Sequence, residues 1–256
     1  MVRRSLLAAI GAVLLAGAFL VPSPILAQDT EIVPGLERDT FRDEVRAYLL
    51  DNPEVILEAI QILEQRRELA AATAELELVA ANADALRNDG YSHVGGNPDG
   101  TVTVVEFFDY RCGFCKRAHD DVKTLVRTNP DIRLVYKEFP VLGPDSLSAA
   151  RAAMAALRQD GEAYEKFNDA LMRFGGPITD RVIDRLAERS GVDVEQMRAD
   201  MQDPQIEAQI SANHQLAQVL RISGTPTFVI GDRIVRGLIP LDEMNRVVQL
   251  ARNVAE

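Results

Sequence analysis

The chain has 256 residues, of which 47% are hydrophobic, enough to build at least one substantial core. It carries 28 Lys and Arg residues against 39 Asp and Glu residues, a formal net charge of −11. A protein that binds nucleic acid needs a basic face, so this charge balance argues against a nucleic-acid partner.

The first 27 residues have the three parts of a secretory signal peptide. Arg3 and Arg4 supply the positive start, Leu6–Val21 is an uncharged apolar run, and Ala27 is the small residue at the cleavage point. The run is shorter than the roughly 20 residues of a membrane-spanning helix, so an uncleaved anchor is the less favoured alternative. We therefore expect residues 1–27 to be cleaved and the rest of the chain to be exported.

Residues 28–89 are predicted to form a helical arm. From residue 36 onward the arm contains no glycine and a single proline, Pro53, which suits the first turn of a second helix. Apolar residues recur at helical spacing, for example at Phe41, Val45, Tyr48 and Leu49. Such thin stripes cannot be buried within the arm, so it packs either on the rest of the chain or on further copies. We favour homo-oligomerisation through this arm.

Residues 90–256 are predicted to form an α/β domain. The turn-rich segment 90–100 breaks the helix, and the β-branched and aromatic residues of 101–110 then predict a strand. A helix that begins near Cys112 and a second strand over 132–141 complete a β-α-β unit, whose strands are parallel.

A helical insertion is predicted over residues 145–221, with four or five short helices. Helix starts are indicated by Asp193 with Gln196 and by Asp203 before Pro204. Two strands within 225–240 and a last helix over 241–253 follow. The fold class predicted is therefore a mixed α/β sheet with a helical insertion, preceded by the α-helical arm.

The two cysteines of the chain, Cys112 and Cys115, form a C-x-x-C pair at the predicted strand-to-helix junction. A disulfide that closes so short a loop contributes little stability, which makes a structural bridge a poor explanation. The helix start favours a thiolate at Cys112, whereas Cys115, one turn further in, is expected to be more buried and less nucleophilic. The pair therefore predicts an attacking and a resolving thiol for thiol–disulfide exchange.

A metal site is the weaker alternative for these cysteines. His119 lies one turn beyond Cys115, and Cys112, Cys115 and His119 together would suit a soft metal such as Cu(I). A zinc site would need a fourth ligand, for which the sequence offers no good candidate. We favour a redox centre that uses neither a metal nor a cofactor.

Glu106 is an acidic residue within the predicted apolar strand. Strand alternation places it on one side of the sheet with Val104 and Phe108, where burial would raise its pKa. From there the carboxyl can exchange protons with Cys115. An ion pair with Lys137 of the neighbouring strand is a compatible alternative.

Three motifs in order, VVEFFDYRCGFCK, VYKEFPVLGPDS and SGTPTFVIGDRIVRG, resemble those of the thioredoxin superfamily and, within it, the DsbA-like periplasmic thiol oxidoreductases. The resemblance covers residues 91–253 and implies a thioredoxin fold in the periplasm. It also implies that the predicted helical block matches the insertion of DsbA-like proteins.

The resemblance implies a role for each site residue. Cys112 would attack and Cys115 would resolve, with Glu106 as the buried proton acceptor and Lys137 beside it. Thr225–Pro226 would form a cis peptide that faces the disulfide, where the backbone of Thr225 can pair with a substrate chain.

Residues 38–66 resemble the N-terminal domain of the suppressor-of-copper-sensitivity (ScsC-like) proteins, which are similar to disulfide isomerases and form oligomers when their helical stalk is long. The dipeptide Gly113–Phe114 resembles that of disulfide isomerases and lacks the Pro-His of the strongest oxidases. We therefore predict a disulfide isomerase, with a dithiol oxidase of the same fold or a Cu(I)-binding copper-tolerance protein as alternatives. The expected partners are cysteine-containing exported proteins and a membrane redox partner that recycles the pair.

Overall fold

The computed structural model describes residues 37–255, and the predicted signal peptide lies outside this range. Contacts divide the chain between Ile62 and Leu63 into two compact units. No helix within residues 37–255 combines the length and the apolar character needed to cross a bilayer.

The first unit contains helix α1, Arg38–Asp51, and the first turns of helix α2, Glu54–Ala81. Pro53 separates the helices as predicted, and its carbonyl accepts a hydrogen bond from the N–H of Ile56 at 3.2 Å. No residue of α1 is buried. Among the described residues 37–62, the exposed large apolar residues are Val45, Tyr48, Leu50, Ile56, Leu57, Ile60 and Ile62. The helical character predicted for the arm is therefore confirmed for these helices, and most large apolar side chains of residues 37–62 are exposed.

The second unit is built on a five-stranded sheet with the strand order β1-β3-β2-β4-β5. The strands are β1 (Val94–Gly96), β2 (Val102–Phe108), β3 (Ile132–Glu138), β4 (Thr227–Ile230) and β5 (Arg233–Arg236). Strands β2 and β3 are parallel and are joined by a helix, which confirms the predicted β-α-β unit, and the other neighbours are antiparallel.

Across residues 83–255, eight helices accompany this sheet, and five of them form the predicted insertion. They are α3 (Ala83–Arg87), α4 (Gly113–Thr128), α5 (Pro144–Gln159), α6 (Gly161–Arg173), α7 (Asp180–Arg189), α8 (Val194–Asp200), α9 (Pro204–Val219) and α10 (Leu241–Ala255). Helices α5 to α9 are the insertion. The side chains of Asp193 and Asp203 cap α8 and α9 by accepting backbone N–H groups, as the sequence predicted.

Strand β1 was missed by the sequence analysis, which placed residues 90–100 in turns. It has three residues, two of them glycine, so it carries no recognisable strand pattern. Gly96 has φ +72°, and a Cβ there would lie 2.6 Å from the carbonyl oxygen of Ile132. Glycine is therefore required where this short strand approaches β3.

The last turns of α2 and helix α3 belong to the core of the second unit. Val79 and Leu86 are fully buried and pack in one cluster with Val105 and Phe107 of β2 and Val135 of β3. The division between the units therefore falls well before residue 89, where the sequence analysis ended the arm.

Candidate active site

The cysteine pair lies at the start of α4, just after strand β2. Cys112 is the N-cap residue of α4, and the backbone N–H of Cys115 donates to its Sγ at 3.4 Å. Both are free thiols; Cys112 is 5% exposed and Cys115 is completely buried. The Cys112 sulfur therefore lies at the start of the helix, and the Cys115 sulfur is the more buried of the two.

Asp109 fixes the loop that leads to this pair, a role that the sequence analysis missed. Its buried carboxylate accepts hydrogen bonds from the N–H groups of Arg111 (2.7 Å), Val141 (2.8 Å) and Leu142 (3.0 Å) and from the hydroxyl of Ser146 (2.8 Å). Because four donors from two segments meet on one side chain, the active-site loop is tied to the loop after β3.

The Thr225–Pro226 peptide is cis, and it lies against the attacking position. The thiol of Cys112 donates a hydrogen bond to the carbonyl oxygen of Thr225 at 3.2 Å. The structure thus brings the cysteine pair and the cis-proline loop together, although more than a hundred positions separate them in the sequence.

Glu106 is 5% exposed and lies on β2 behind the cysteines. Burial raises its pKa to about 8, so the carboxyl is largely protonated at neutral pH. Burial, followed by the charge of Glu106, raises the pKa of the Cys115 thiol. Glu106 and Cys115 are therefore two electrostatically coupled groups, each of which favours its neutral form.

We expect Glu106→Gln to flatten the dependence of stability on pH. An unfolded carboxyl ionises near pH 4.5 and the folded one near 8, so the folded state keeps a proton that the unfolded state has lost between these values. Stability therefore falls as pH rises across this window, by about 1.4 kcal/mol for each unit of the pKa difference. Urea unfolding of the reduced protein at the two ends of the window measures the change, and an equal decline in parent and variant would contradict the burial argument.

Lys137 does not lie beside Glu106, and the predicted ion pair between them is wrong. The register of β2 and β3 pairs Glu106 with Tyr136 and Phe107 with Lys137, so the two charged side chains point to opposite faces of the sheet. The Lys137 ammonium is fully buried and donates to Asp89 Oδ2 at 2.5 Å and to the Ala85 carbonyl at 2.7 Å. Lys137 therefore anchors α3 and the loop that follows it to the sheet.

Breaking this buried pair should destabilise the second unit strongly. Lys137→Met leaves the Asp89 carboxylate buried without its cation, and we expect a loss of about 3–5 kcal/mol in the free energy of unfolding. The double variant Lys137→Met, Asp89→Asn should lose less than the sum of the two single variants, because neither partner then keeps a charge. Additive losses in chemical denaturation would show that the two side chains do not interact.

His119, the third residue of the alternative metal site, is paired with Asp169. Its Nε2 lies 2.9 Å from Asp169 Oδ1, and Asp169 also accepts from Lys123 and Arg173. Within the described part of the chain, no three His, Cys, Asp or Glu side chains are placed to hold a metal ion. The alternative Cu(I) site of Cys112, Cys115 and His119 stays a prediction.

Gly113 and Phe114, the residues between the cysteines, lie at the surface. Phe114 is 54% exposed, and the Arg117 guanidinium lies over its ring at 4.7 Å from the centroid. A Cβ added to Gly113 would meet nothing within 4 Å. The dipeptide thus presents an aromatic ring beside Cys112 on a face that is open to another chain.

Comparison with known proteins identifies the family to which this fold belongs. The chain belongs to the family of DSBA-like thioredoxin domains, whose model matches residues 103–249, and this confirms the predicted family and thioredoxin fold. Residues 37–70 match the model of the copper resistance protein ScsC N-terminal domain, as the resemblance of residues 38–66 indicated.

Two solved structures illustrate the similarity. A thioredoxin-like oxidoreductase from Silicibacter pomeroyi DSS-3 is 45% identical, with a TM-score of 0.64 over 66% of this chain and 97% of that one. Proteus mirabilis ScsC in a transitional conformation is 26% identical, with a TM-score of 0.64 over 85% of this chain and 97% of that one.

Among curated proteins, the Na(+)/H(+) antiporter NhaA 3 of Salinispora tropica is 29% identical over 161 residues. That match covers 62% of this chain but 24% of the antiporter, so the chain spans about a quarter of the length of this relative.

Proposed function

We propose that this protein is a periplasmic thiol–disulfide oxidoreductase and, more narrowly, a disulfide isomerase of exported, cysteine-containing proteins. One observation carries the proposal: Cys112 caps α4 against the carbonyl of Thr225 in the cis-proline loop, with Cys115 buried one turn behind it. The solved Silicibacter relative is itself described as a thioredoxin-like oxidoreductase.

In the proposed reaction the thiolate of Cys112 attacks one sulfur of a mispaired substrate disulfide. A mixed disulfide forms, and the other substrate sulfur leaves as a thiolate. That thiolate, or another in the substrate, then attacks the mixed disulfide and restores Cys112 with the substrate re-paired. No net electrons are transferred in this cycle. Because the attacking group must be a free thiolate, a membrane redox partner must keep the cysteine pair reduced.

Resolution by Cys115 instead gives net oxidation or reduction. The ionised form of Glu106, the minority form at neutral pH, takes the proton of Cys115. The Cys115 sulfur then attacks Cys112, so the substrate leaves as a thiolate and the cysteine pair becomes a disulfide. A dithiol oxidase, the alternative direction, runs this step in reverse. The exposed ring of Phe114 in place of the histidine of strong oxidases favours the isomerase.

The first unit supports a homo-oligomer as part of the same proposal. Its apolar residues are exposed, and its sequence matches the ScsC N-terminal domain. An isomerase gains from several copies because two or more Cys112 thiols can then reach one substrate chain.

The redox state of the cysteine pair in the periplasm tests the direction of the reaction. Acid quenching followed by alkylation counts free thiols on the protein taken directly from cells. A mainly reduced pair is the expected result, whereas a mainly oxidised pair would contradict the isomerase and favour the oxidase.

A further inference from the structure

Glu138, at the end of β3, is a second buried carboxyl group near the cysteine pair. It is 4% exposed. In the parallel register of β2 and β3, Glu138 pairs with Phe108, and Glu106, two residues before Phe108, pairs with Tyr136. Strand alternation therefore places Glu138 on the same face of the sheet as Glu106. The intervening residue, Lys137, points to the other face and cannot neutralise either acid.

Two phenol groups hold the Glu138 carboxyl. Tyr110 and Tyr164 both donate to Oε1, at 2.6 and 3.0 Å, and Asn168 donates to the Tyr110 hydroxyl at 3.1 Å. Tyr110 stands two residues before Cys112 in the active-site loop. The carboxyl is thus fixed in position and is connected physically to the loop that carries the attacking cysteine.

The groups around Glu138 are acidic or neutral. Burial raises its pKa to about 8, the Tyr110 and Tyr164 hydrogen bonds oppose this, and the charges of Asp109 and Glu106 add to it. The titratable groups that face Glu138 from the surrounding strands, helices and loops are Glu106, Asp109, Tyr110, Tyr136, Tyr164, Tyr91 and His93. Within residues 37–255, no Lys or Arg forms an ion pair with Glu138 or Glu106.

Glu138 nevertheless lies beside polar surroundings. A chamber of about 10 Å³, the size of one water molecule, is bounded in part by Glu138, Asn213 and His93. His93 in turn contacts Glu165 at 2.8 Å, and the Glu165 side chain is half exposed.

We propose that Glu138 is a positioning residue for the thiol–disulfide reaction, because its carboxyl, fixed by two tyrosines, determines through its charge how firmly Glu106 holds the proton that Cys115 releases. This inference rests on the proposed function. In the step concerned, the Cys115 proton moves to the Glu106 carboxylate and the Cys115 sulfur bonds to Cys112. The bond between Cys112 and the substrate sulfur breaks, and the substrate leaves as a thiolate that carries the electron pair.

The direction of the effect follows from like-charge repulsion. An ionised Glu138 makes Glu106 a stronger base, and a neutral side chain at position 138 makes it a weaker one. Glu138→Gln keeps an oxygen that accepts both tyrosine hydrogen bonds but removes the charge. In this variant the attack of Cys115 on the mixed disulfide should have a pH midpoint about one unit lower than in the parent protein. Its maximum rate should also be lower.

The test uses the full chain and oxidised glutathione as the substrate disulfide. Reduced protein is mixed with it, and the release of glutathione from Cys112 by Cys115 is followed by rapid acid quenching over a range of pH. Glu165→Gln, which removes a half-exposed carboxylate, is the matched control and should leave the midpoint unchanged. Tyr164→Phe, a milder change that removes one hydrogen bond to Glu138, should lower the midpoint less than Glu138→Gln.

The outcomes separate the inference from the proposed function. An unchanged pH midpoint in Glu138→Gln overturns the role of Glu138, and so does an equal shift in Glu165→Gln. Neither result affects the proposed function as long as the parent protein still releases glutathione from Cys112. If Glu138→Gln does not fold, an unchanged midpoint in Tyr164→Phe overturns the role in the same way. A parent protein that forms no mixed disulfide with glutathione overturns the proposed function, and the inference with it.

Discussion

Cys112→Ser should reduce the refolding of scrambled ribonuclease to the uncatalysed rate. A serine hydroxyl is not ionised at neutral pH and forms no mixed disulfide, so the first step of the exchange cannot occur. The substitution removes one sulfur at the start of α4 and leaves the fully buried Cys115 in place. Recovery of ribonuclease activity, measured with reduced protein and no added thiol, gives the rate directly.

Cys115→Ser is the matched control for this experiment. It keeps the attacking sulfur against Thr225 and removes the resolving one, so a mixed disulfide with glutathione should form and persist. Mass spectrometry of the intact protein detects that adduct. Full isomerase activity in Cys112→Ser would show that the exchange does not pass through Cys112, and the proposed function would then be wrong.

Deletion of residues 28–62 should give a monomer that still oxidises dithiols but no longer isomerises scrambled ribonuclease. The deletion removes the exposed apolar residues of the first unit and leaves the buried residues of the second unit untouched. Each remaining molecule keeps its cysteine pair and cis-proline loop, so only the cooperation between copies is lost. Sedimentation together with the two activity assays measures all three consequences.

A longer deletion, of residues 28–89, is the informative comparison. It also removes Val79 and Leu86, which are fully buried, and Asp89, the partner of Lys137. We expect the longer deletion to cost at least about 5 kcal/mol of stability relative to the shorter one. Equal stability of the two truncated proteins would contradict the boundary at Ile62, and a monomeric full-length protein would contradict oligomerisation through the first unit.

The sequence was sufficient to predict the elements with strong local patterns. Strands β2 and β3, the parallel crossover through α4 and the five insertion helices all have runs or caps that are visible in single segments. The cysteine pair was placed at the start of a helix because strand and helix patterns meet at Cys112. The cis peptide at Thr225–Pro226 was expected from the family resemblance, since no local pattern distinguishes cis from trans proline.

The sequence was insufficient where a partner lies far along the chain. Glu106 and Lys137 lie on neighbouring strands, but the register that sends their side chains to opposite faces is a property of the folded sheet. The role of Asp109 depends on the distant segment that contains Val141 and Ser146. Glu138 stands next to Lys137, a position that resembles an ordinary surface pair in the sequence.

The alternation of charge along β3 limits how this active site can be transplanted into another protein. The neighbouring residues Lys137 and Glu138 point to opposite faces of the sheet. Lys137 is bonded to the loop after α3 through Asp89, and Glu138 is bonded to Tyr110 and Tyr164. A shift of one residue in the strand would exchange them, placing an ammonium on the face that carries Glu106 and a carboxylate against Asp89. An engineer who grafts the C-x-x-C motif onto a new scaffold must therefore transfer both sides of this strand together.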